Sequence, residues 1–159
     1  MSGSAADLED RLAIRDLVDT YAQRVDALDH EGVAAVFTED GVLSVCMVPG
    51  SGTIQRERRG RVQIAEAMRS VERHAATAHT IGNHVATIDG DTATGETRCV
   101  AYHATGEPGA FTNLIWILRY LDTYRRTDEG WRISHRLLLL DMEVEHPWNG
   151  TAARTPRPS

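Results

Sequence analysis

An aspartate and a histidine, far apart in this chain, are the residues best suited to do chemistry together. Asp26 closes an amphipathic stretch, Tyr21-Ala22-Gln23-Arg24-Val25-Asp26, and His79 opens a β-like run, His79-Thr80-Ile81-Gly82-Asn83-His84. A carboxylate beside an imidazole fixes the ring tautomer and stabilises the imidazolium formed when the ring takes up a proton. Held in a closed pocket, such a pair moves a proton on a small organic substrate. Two further side chains fit the same task. Arg136 stands alone beside leucines, and a buried guanidinium implies a carboxylate or an anionic ligand close by, with Asp26 as one candidate partner. Tyr21 lies on an apolar stripe, and its hydroxyl needs a partner when buried. Five helical residues turn through about 140°, so Tyr21 and Asp26 meet at one pocket only where that pocket wraps round the helix end.

Strict alternation along the histidine strand puts His79, Ile81, Asn83 and Val85 on one face and Thr80, Gly82, His84 and Ala86 on the other. Asn83 is therefore expected beside His79 on the cavity wall, and His84 on the far face in a structural or interfacial role. In the last strand the same rule groups Ser134, Arg136, Leu138 and Leu140. His103, on the following strand, can enter the cavity, and Trp116 and Phe111 are candidates for its wall. Taken singly, each of these residues has an ordinary structural reading. A strand histidine is more often structural than catalytic, a helix-end aspartate is often a cap, and Arg136 with a carboxylate can be a plain buried ion pair.

The elements that must position these side chains follow from periodicity and punctuation. Ser4 can cap a helix from near Ala5, with acidic residues in its first turns. Its apolar positions Ile14, Leu17, Val18, Tyr21, Ala22, Val25 and Leu28 form one helical stripe. Asp29 caps a shorter helix reaching Phe37, and Glu39-Asp40-Gly41 turns into a strand from Val42 to Val48. Pro49-Gly50-Ser51-Gly52 breaks that strand. Arg56, Arg58, Arg59 and Arg61, interrupted by Glu57, read as a solvated loop, and a third helix runs from Val62 to His74 with Val62, Ala65, Met68 and Val71 at its seam. The period then changes to two. Strands over 79–88, 92–104, 111–124 and 131–144 are joined by turns at Asp89-Gly90-Asp91, Gly106 to Gly109 and Asp128-Glu129-Gly130.

Three helices before a four-strand meander give an α+β fold. A strongly curved antiparallel sheet of about five or six strands wraps a helix-capped cavity, since three helices cannot cover both of its faces. Residues 1–146 form one domain and 147–159 a flexible tail. The 159 residues are 42% apolar and 25% charged, ordinary for a globular protein. All 17 basic residues are arginine, which excludes lysine Schiff-base or lysine-base chemistry. A net charge of −6 without a broad cationic face argues against nucleic acid. No segment approaches the roughly 20 apolar residues of a membrane span, and no signal-like run is present. Cys46 and Cys99 sit in apolar strands without metal-ligand spacing, as buried reduced thiols, which fits a cytoplasmic protein.

Tyr21, Asp26, His79 and Arg136, on this order of elements, resemble the SnoaL-like group of the nuclear-transport-factor-2-like superfamily, with its cystatin-like cone. The likeness spans about Asp7 to Met142 and rests on Ile14-Arg15-Asp16-Leu17 through Asp26, His79 to Asn83, Ile88 to Ala93, and Trp131 to Arg136. It is strongest to the branch holding bile acid 7α-dehydratase, scytalone dehydratase and lindane dehydrochlorinase. That resemblance implies a lyase in which His79 and Asp26 abstract a proton, Tyr21 favours loss of water over loss of chloride, and Arg136 faces the pocket to hold or polarise substrate. It implies a small apolar or cyclic substrate and a homo-oligomer, trimer favoured over dimer. No cofactor or metal is expected, since neither a glycine-rich phosphate loop nor a metalloprotease motif is present. The same scaffold also hosts isomerases of the ketosteroid type, polyketide cyclases and non-catalytic ligand-binding members.

Overall fold

The computed structural model describes residues 5–156, with side chains from Asp7 onward, so the cap expected at Ser4 lies outside the described residues. Helix α1 (Ala5–Asp26) is followed by α2 (His30–Ala35), strand β1 (Phe37–Cys46), strand β2 (Arg56–Arg59) and α3 (Gly60–Met68). A 3₁₀ turn (Arg69–Arg73) leads into β3 (Ala76–Asp89), β4 (Thr92–Glu107), β5 (Ala110–Thr127) and β6 (Gly130–Trp148). The six strands form one curved, unclosed sheet in the order β2-β1-β6-β5-β4-β3. Neighbours run antiparallel except β1 and β6, which pair in parallel, with Leu43 opposite Arg136.

The helices pack against the inner face of the sheet. Ile14, Val18 and Tyr21 of α1 meet Cys99 and Ala101 of β4, Leu118 and Tyr120 of β5 and Ile133 of β6 in one core. The 3.6-residue stripe of α1 and the two-residue alternation of the strands supply complementary apolar surfaces, and their burial drives the packing. Helix α1 ends in a Schellman motif. Asp29 N–H donates to Arg24 C=O at 2.9 Å and Leu28 N–H to Val25 C=O at 3.1 Å, with Leu28 at φ 56°. Those bonds settle Asp26 at the last turn. Asp29 then accepts from Gly32 N–H at 2.9 Å and caps α2 as expected. Both cysteines are free and buried, and burial pushes the Cys99 thiol up to about 11.

Several expectations need correction. The arginine-rich run is a strand and no loop: Arg56 to Arg59 pair with β1. Helix α3 is shorter than expected, and its buried seam is Ile64 and Ala65 while Val62 is 82% exposed. Between Ile81 and His84 strand β3 slips its register against β4, because three β3 steps there answer two on β4. Such a bulge inverts the alternation beyond it. His84 therefore turns inward, its Nδ1 2.9 Å from Thr97 Oγ1, and Asn83 and Val85 turn out to solvent. A second slip, between Thr123/His135 and Tyr124/Ile133, places Ile133 and Arg136 inward, while the Ser134 hydroxyl donates to Thr123 C=O.

Candidate active site

Between α1, α3 and the inner sheet face lies a cavity of about 370 Å³, within the range of small-molecule sites. Its apolar wall is made by Val25, Leu43, Val45, Leu118 and Leu138. His79, His103, Trp116, Tyr21 and Tyr120 face the same space.

Asp26 and His79 are in contact. Imidazole Nδ1 is 2.7 Å from Asp26 Oδ1, and the His79 backbone N–H donates to Oδ2 at 2.8 Å. The Thr77 hydroxyl donates to Oδ1 at 2.8 Å. The His79 and Asp26 side chains are 8% and 27% exposed respectively, and the carboxylate backs the ring from outside the cavity. That arrangement resolves the rotation of Tyr21 away from Asp26: Tyr21 lines the cavity directly, and Asp26 reaches it through His79. Burial opposes the charge on Asp26, but the His79 ring, its backbone N–H and Thr77 hold the carboxyl below its ordinary range. With Nδ1–H given to Asp26, Nε2 of His79 carries the free lone pair.

His103 is buried and lines the cavity. Its ring lies 4.4 Å from Trp116, 4.8 Å from His74 and, edge-on, 5.8 Å from His79. Nδ1–H donates to Leu114 C=O at 3.1 Å, which leaves Nε2 as an acceptor. Burial, aided by the neighbouring imidazoles and Arg73, holds its pKa down to about 4. His74 is similar: burial, then Arg73 and Arg154, lower it to about 4, and its Nδ1 meets Thr105 Oγ1 at 2.7 Å. Both rings are neutral near pH 7. Among the described residues no three His, Cys, Asp or Glu side chains are grouped to hold a metal ion.

Arg136 does not line the cavity, contrary to expectation, and its partner is Asp122 where Asp26 had been considered. The fully buried guanidinium gives Asp122 two parallel bonds, Nε to Oδ1 at 2.8 Å and Nη2 to Oδ2 at 2.7 Å. The Tyr124 hydroxyl donates to the same carboxylate at 2.9 Å. The guanidinium carbon lies over the rings of Tyr21 and Tyr120, at 4.2 and 4.1 Å from their centres. Register explains the pairing, since Asp122 and Arg136 are direct cross-strand partners. Burial raises the Tyr21 hydroxyl above its ordinary value, with Arg136 pulling the other way.

Two further expectations fail. Asn83 is on the outer face of the sheet because of the β3 bulge. Phe111 is buried at the far end of β5 against Trp148, with ring centres 5.7 Å apart, outside the cavity. Conversely, Tyr120, His74, Arg56, Arg58 and Arg73 line the cavity and were not read from the sequence. Tyr120 was within reach, for it lies on the β5 face of Trp116 and Leu118 at the two-residue spacing.

A cone of curved sheet and helices closed round such a pocket defines a nuclear-transport-factor-2-like protein. The chain belongs to the SnoaL-like domain family, which matches residues 6–137. It is 28% identical over 136 residues to the uncharacterised protein Rv2910c of Mycobacterium tuberculosis, covering 84% of this chain and 87% of that one. A solved NTF2-like protein with a cystatin-like fold from Novosphingobium aromaticivorans is 31% identical, with a TM-score of 0.66 over 84% of this chain and 82% of its own. A hexachlorocyclohexane dehydrochlorinase, LinA type 2, shares the fold at 18% identity, with a TM-score of 0.73 over 94% and 95% of the two chains.

Proposed function

We propose that the protein is a cofactor-independent lyase that removes water from a small, largely apolar cyclic substrate. The observation that carries this reading is the 2.7 Å contact of Asp26 Oδ1 with His79 Nδ1, at a ring that lines the cavity. Nε2 of His79 takes a proton from the carbon next to a carbonyl. The C–H electron pair becomes the enolate, whose oxygen the Tyr21 hydroxyl stabilises by donating a hydrogen bond. The enolate then re-forms the carbonyl and expels the β-hydroxyl, which leaves as water with the proton carried by His79. His103 Nε2 can accept a hydrogen bond from substrate, and Trp116 supplies a flat wall. Arg136 acts on the reaction only through the rings of Tyr21 and Tyr120.

An isomerase of the ketosteroid type needs a free carboxylate base on the sheet wall. Asp122 is held by Arg136 and Tyr124, and Asp141 by Arg119 at 2.8 and 2.9 Å. Neither is free for that role, which favours the imidazole base. A polyketide cyclase would join carbon to carbon with no net loss of a β-hydroxyl from the ring, and a ligand-binding protein would leave both bonds untouched. Incubating the enzyme with β-hydroxy cyclic ketones in D₂O separates these outcomes. Growth of conjugated enone absorbance is expected, with deuterium at the α-carbon of substrate whose enolate is reprotonated before the hydroxyl leaves, both reduced about 10²-fold or more in His79→Ala. Full turnover by a folded His79→Ala protein would refute the assignment.

We also infer a homo-oligomer, a trimer before a dimer, assembled through the outer sheet face. Val85, Tyr102, Met142 and Val144 are exposed there. Sedimentation of the purified protein as a monomer would refute that inference. No helix among the described residues is long and apolar enough to cross a membrane, and a cytoplasmic location is part of the same proposal.

A further inference from the structure

Strand β2 turns two of its arginines into the cavity. Arg58 stands opposite Leu43 and Arg56 opposite Val45 on β1, and both apolar partners line the pocket. Directly opposed residues of an antiparallel pair project from the same sheet face. Arg56 and Arg58 therefore share the inner face with Leu43 and Val45. The strand's own carboxylate is on the other side: Glu57 stands opposite Ser44, accepts its hydroxyl at 3.2 Å and pairs with Arg59 at 2.6 Å. A third guanidinium, Arg73 of the 3₁₀ turn, lines the cavity from a different element and donates to His74 Nε2 at 3.2 Å.

These three cations differ from the rest. Among the described arginines only Arg56, Arg58, Arg73 and Arg154 make no ion pair with a carboxylate. Arg154 is occupied by backbone carbonyls, among them that of Asp26 at 2.9 Å. The chain as a whole carries a net charge of −6, so carboxylates are plentiful. Among the described residues the only acidic one on the cavity wall is Glu66, and it makes no ion pair with any of the three. Edge-strand protection accounts for charge on β2 but not for Arg73, which is on no strand.

We infer that the substrate is an acid: a carboxylate seated against Arg56, Arg58 and Arg73 at the mouth, on an apolar ring body that fills the interior. A guanidinium fork matches the two oxygens of a carboxylate; Arg58 is half-buried, and Arg56 and Arg73 are exposed at the mouth. His74 and His103 are uncharged near neutrality, which leaves the arginines as the cations that meet the acid. The acid end also sets the direction of entry, with the ring carbons carried inward toward His79 and Tyr21. This inference rests on the lyase reading for the word substrate, but binding requires no turnover, so the two can fail separately.

The test is calorimetric binding to the full-length protein of 2-naphthoate, of its neutral isostere 2-naphthamide and of 2-naphthyl phosphate. The acid is expected to bind at least about tenfold tighter than the amide, a preference that shrinks as salt screens the mouth. Arg56→Gln with Arg58→Gln should bring the two within about threefold, at unchanged amide affinity. Arg59→Gln, on the outer face, should leave the preference intact. If the double variant does not fold, Arg73→Gln alone must still narrow the ratio. Equal affinity of acid and amide, no binding by either, or a preference that survives these variants would overturn the inference. Tighter binding of the phosphate than of the carboxylate would overturn the choice of acid.

Discussion

Replacing Asp26 by asparagine preserves the size of the side chain and removes its charge. In the native protein Oδ1 accepts from Thr77 Oγ1 and meets His79 Nδ1, while Oδ2 accepts from the His79 backbone N–H. An amide has one acceptor oxygen and one donor nitrogen. The backbone N–H can only donate, so the amide oxygen stays opposite it and the NH₂ falls opposite Thr77 and the ring. The threonine hydroxyl can rotate and accept. The imidazole must offer its Nδ1 lone pair, which moves its proton to Nε2, the nitrogen that takes the substrate proton in the proposed reaction. In the Ser-His-Asp triad the same change costs about 10⁴-fold in kcat, so a loss of about 10²–10⁴-fold is expected here. Stability should fall too. Hydrogen bonds to a charged acceptor contribute about 1.5–3 kcal/mol, and partial exposure of Asp26 argues for the low end, about 2 kcal/mol. That corresponds to roughly 4–8 °C in Tm for a domain of this size. Because the folded pKa of Asp26 is depressed, this stability is present above the unfolded value of about 3.9 and is lost as pH falls through the folded value. The melting difference between native and Asp26→Asn proteins should therefore close at strongly acid pH. Long-range ¹H–¹⁵N spectra report the tautomer without any substrate. An Asp26→Asn protein that kept the Nδ1–H form, or turned over at the native rate, would refute the reasoning.

Three further outcomes are expected. Asp122→Asn leaves the fully buried Arg136 without its counter-charge and should destabilise by about 3–5 kcal/mol, whereas the double change Asp122→Leu/Arg136→Met should cost much less; chemical denaturation of the three proteins checks this. His74 and His103 have folded values near 4, below the unfolded 6.5. The unfolded chain thus binds protons the native state refuses, and Tm should drop steadily from pH 6.5 to 4, with a shallower slope in His103→Gln. Asn83→Ala should leave both turnover and stability within about 0.5 kcal/mol of native, as for an ordinary surface change, and steady-state kinetics with a thermal melt would detect a larger effect.

Local pattern explains what was legible beforehand. The α1 stripe from Ile14 to Val25, the Asp29 cap and the turns at Asp89-Gly90-Asp91 and Asp128-Glu129-Gly130 each depend on residues a few positions apart, and each was found where expected, although Leu28, read as part of the stripe, lies beyond the helix end. Asp26 was legible because a helix end is fixed locally, while β3 begins at Ala76, three residues before the start that was read at His79. Errors arose where one residue changes the phase of a strand. Gly82 sits at the β3 bulge, and a glycine inside a strand is the signal for one; uninterrupted alternation sent Asn83 inward and His84 outward, the reverse of the structure. The partner of Arg136 depended on the β5–β6 register, and the inward arginines of β2 on its pairing with β1. Both are long-range relations that a charge pattern alone does not specify.

The same register distributes charge behind the proposed acid and base. His79, the base, is backed by an anion, since Asp26 is held ionised by its hydrogen bonds. Tyr21, the hydrogen-bond donor, is backed by a cation, since Arg136 lies over its ring face. Burial keeps the phenol protonated while the guanidinium favours negative charge on the oxygen it stabilises. The proposed base thus has a carboxylate behind it and the proposed donor a guanidinium. The Asp122–Arg136 pair makes this possible at no cost in cavity surface, because the sheet supplies the counter-ion from the neighbouring strand. Removing only Arg136 should therefore weaken the donor role of Tyr21 without disturbing the tautomer of His79, while Asp26→Asn should do the reverse. If the two variants gave the same tautomer and the same pH profile, base and donor would not be independently backed, and the division of roles would be wrong.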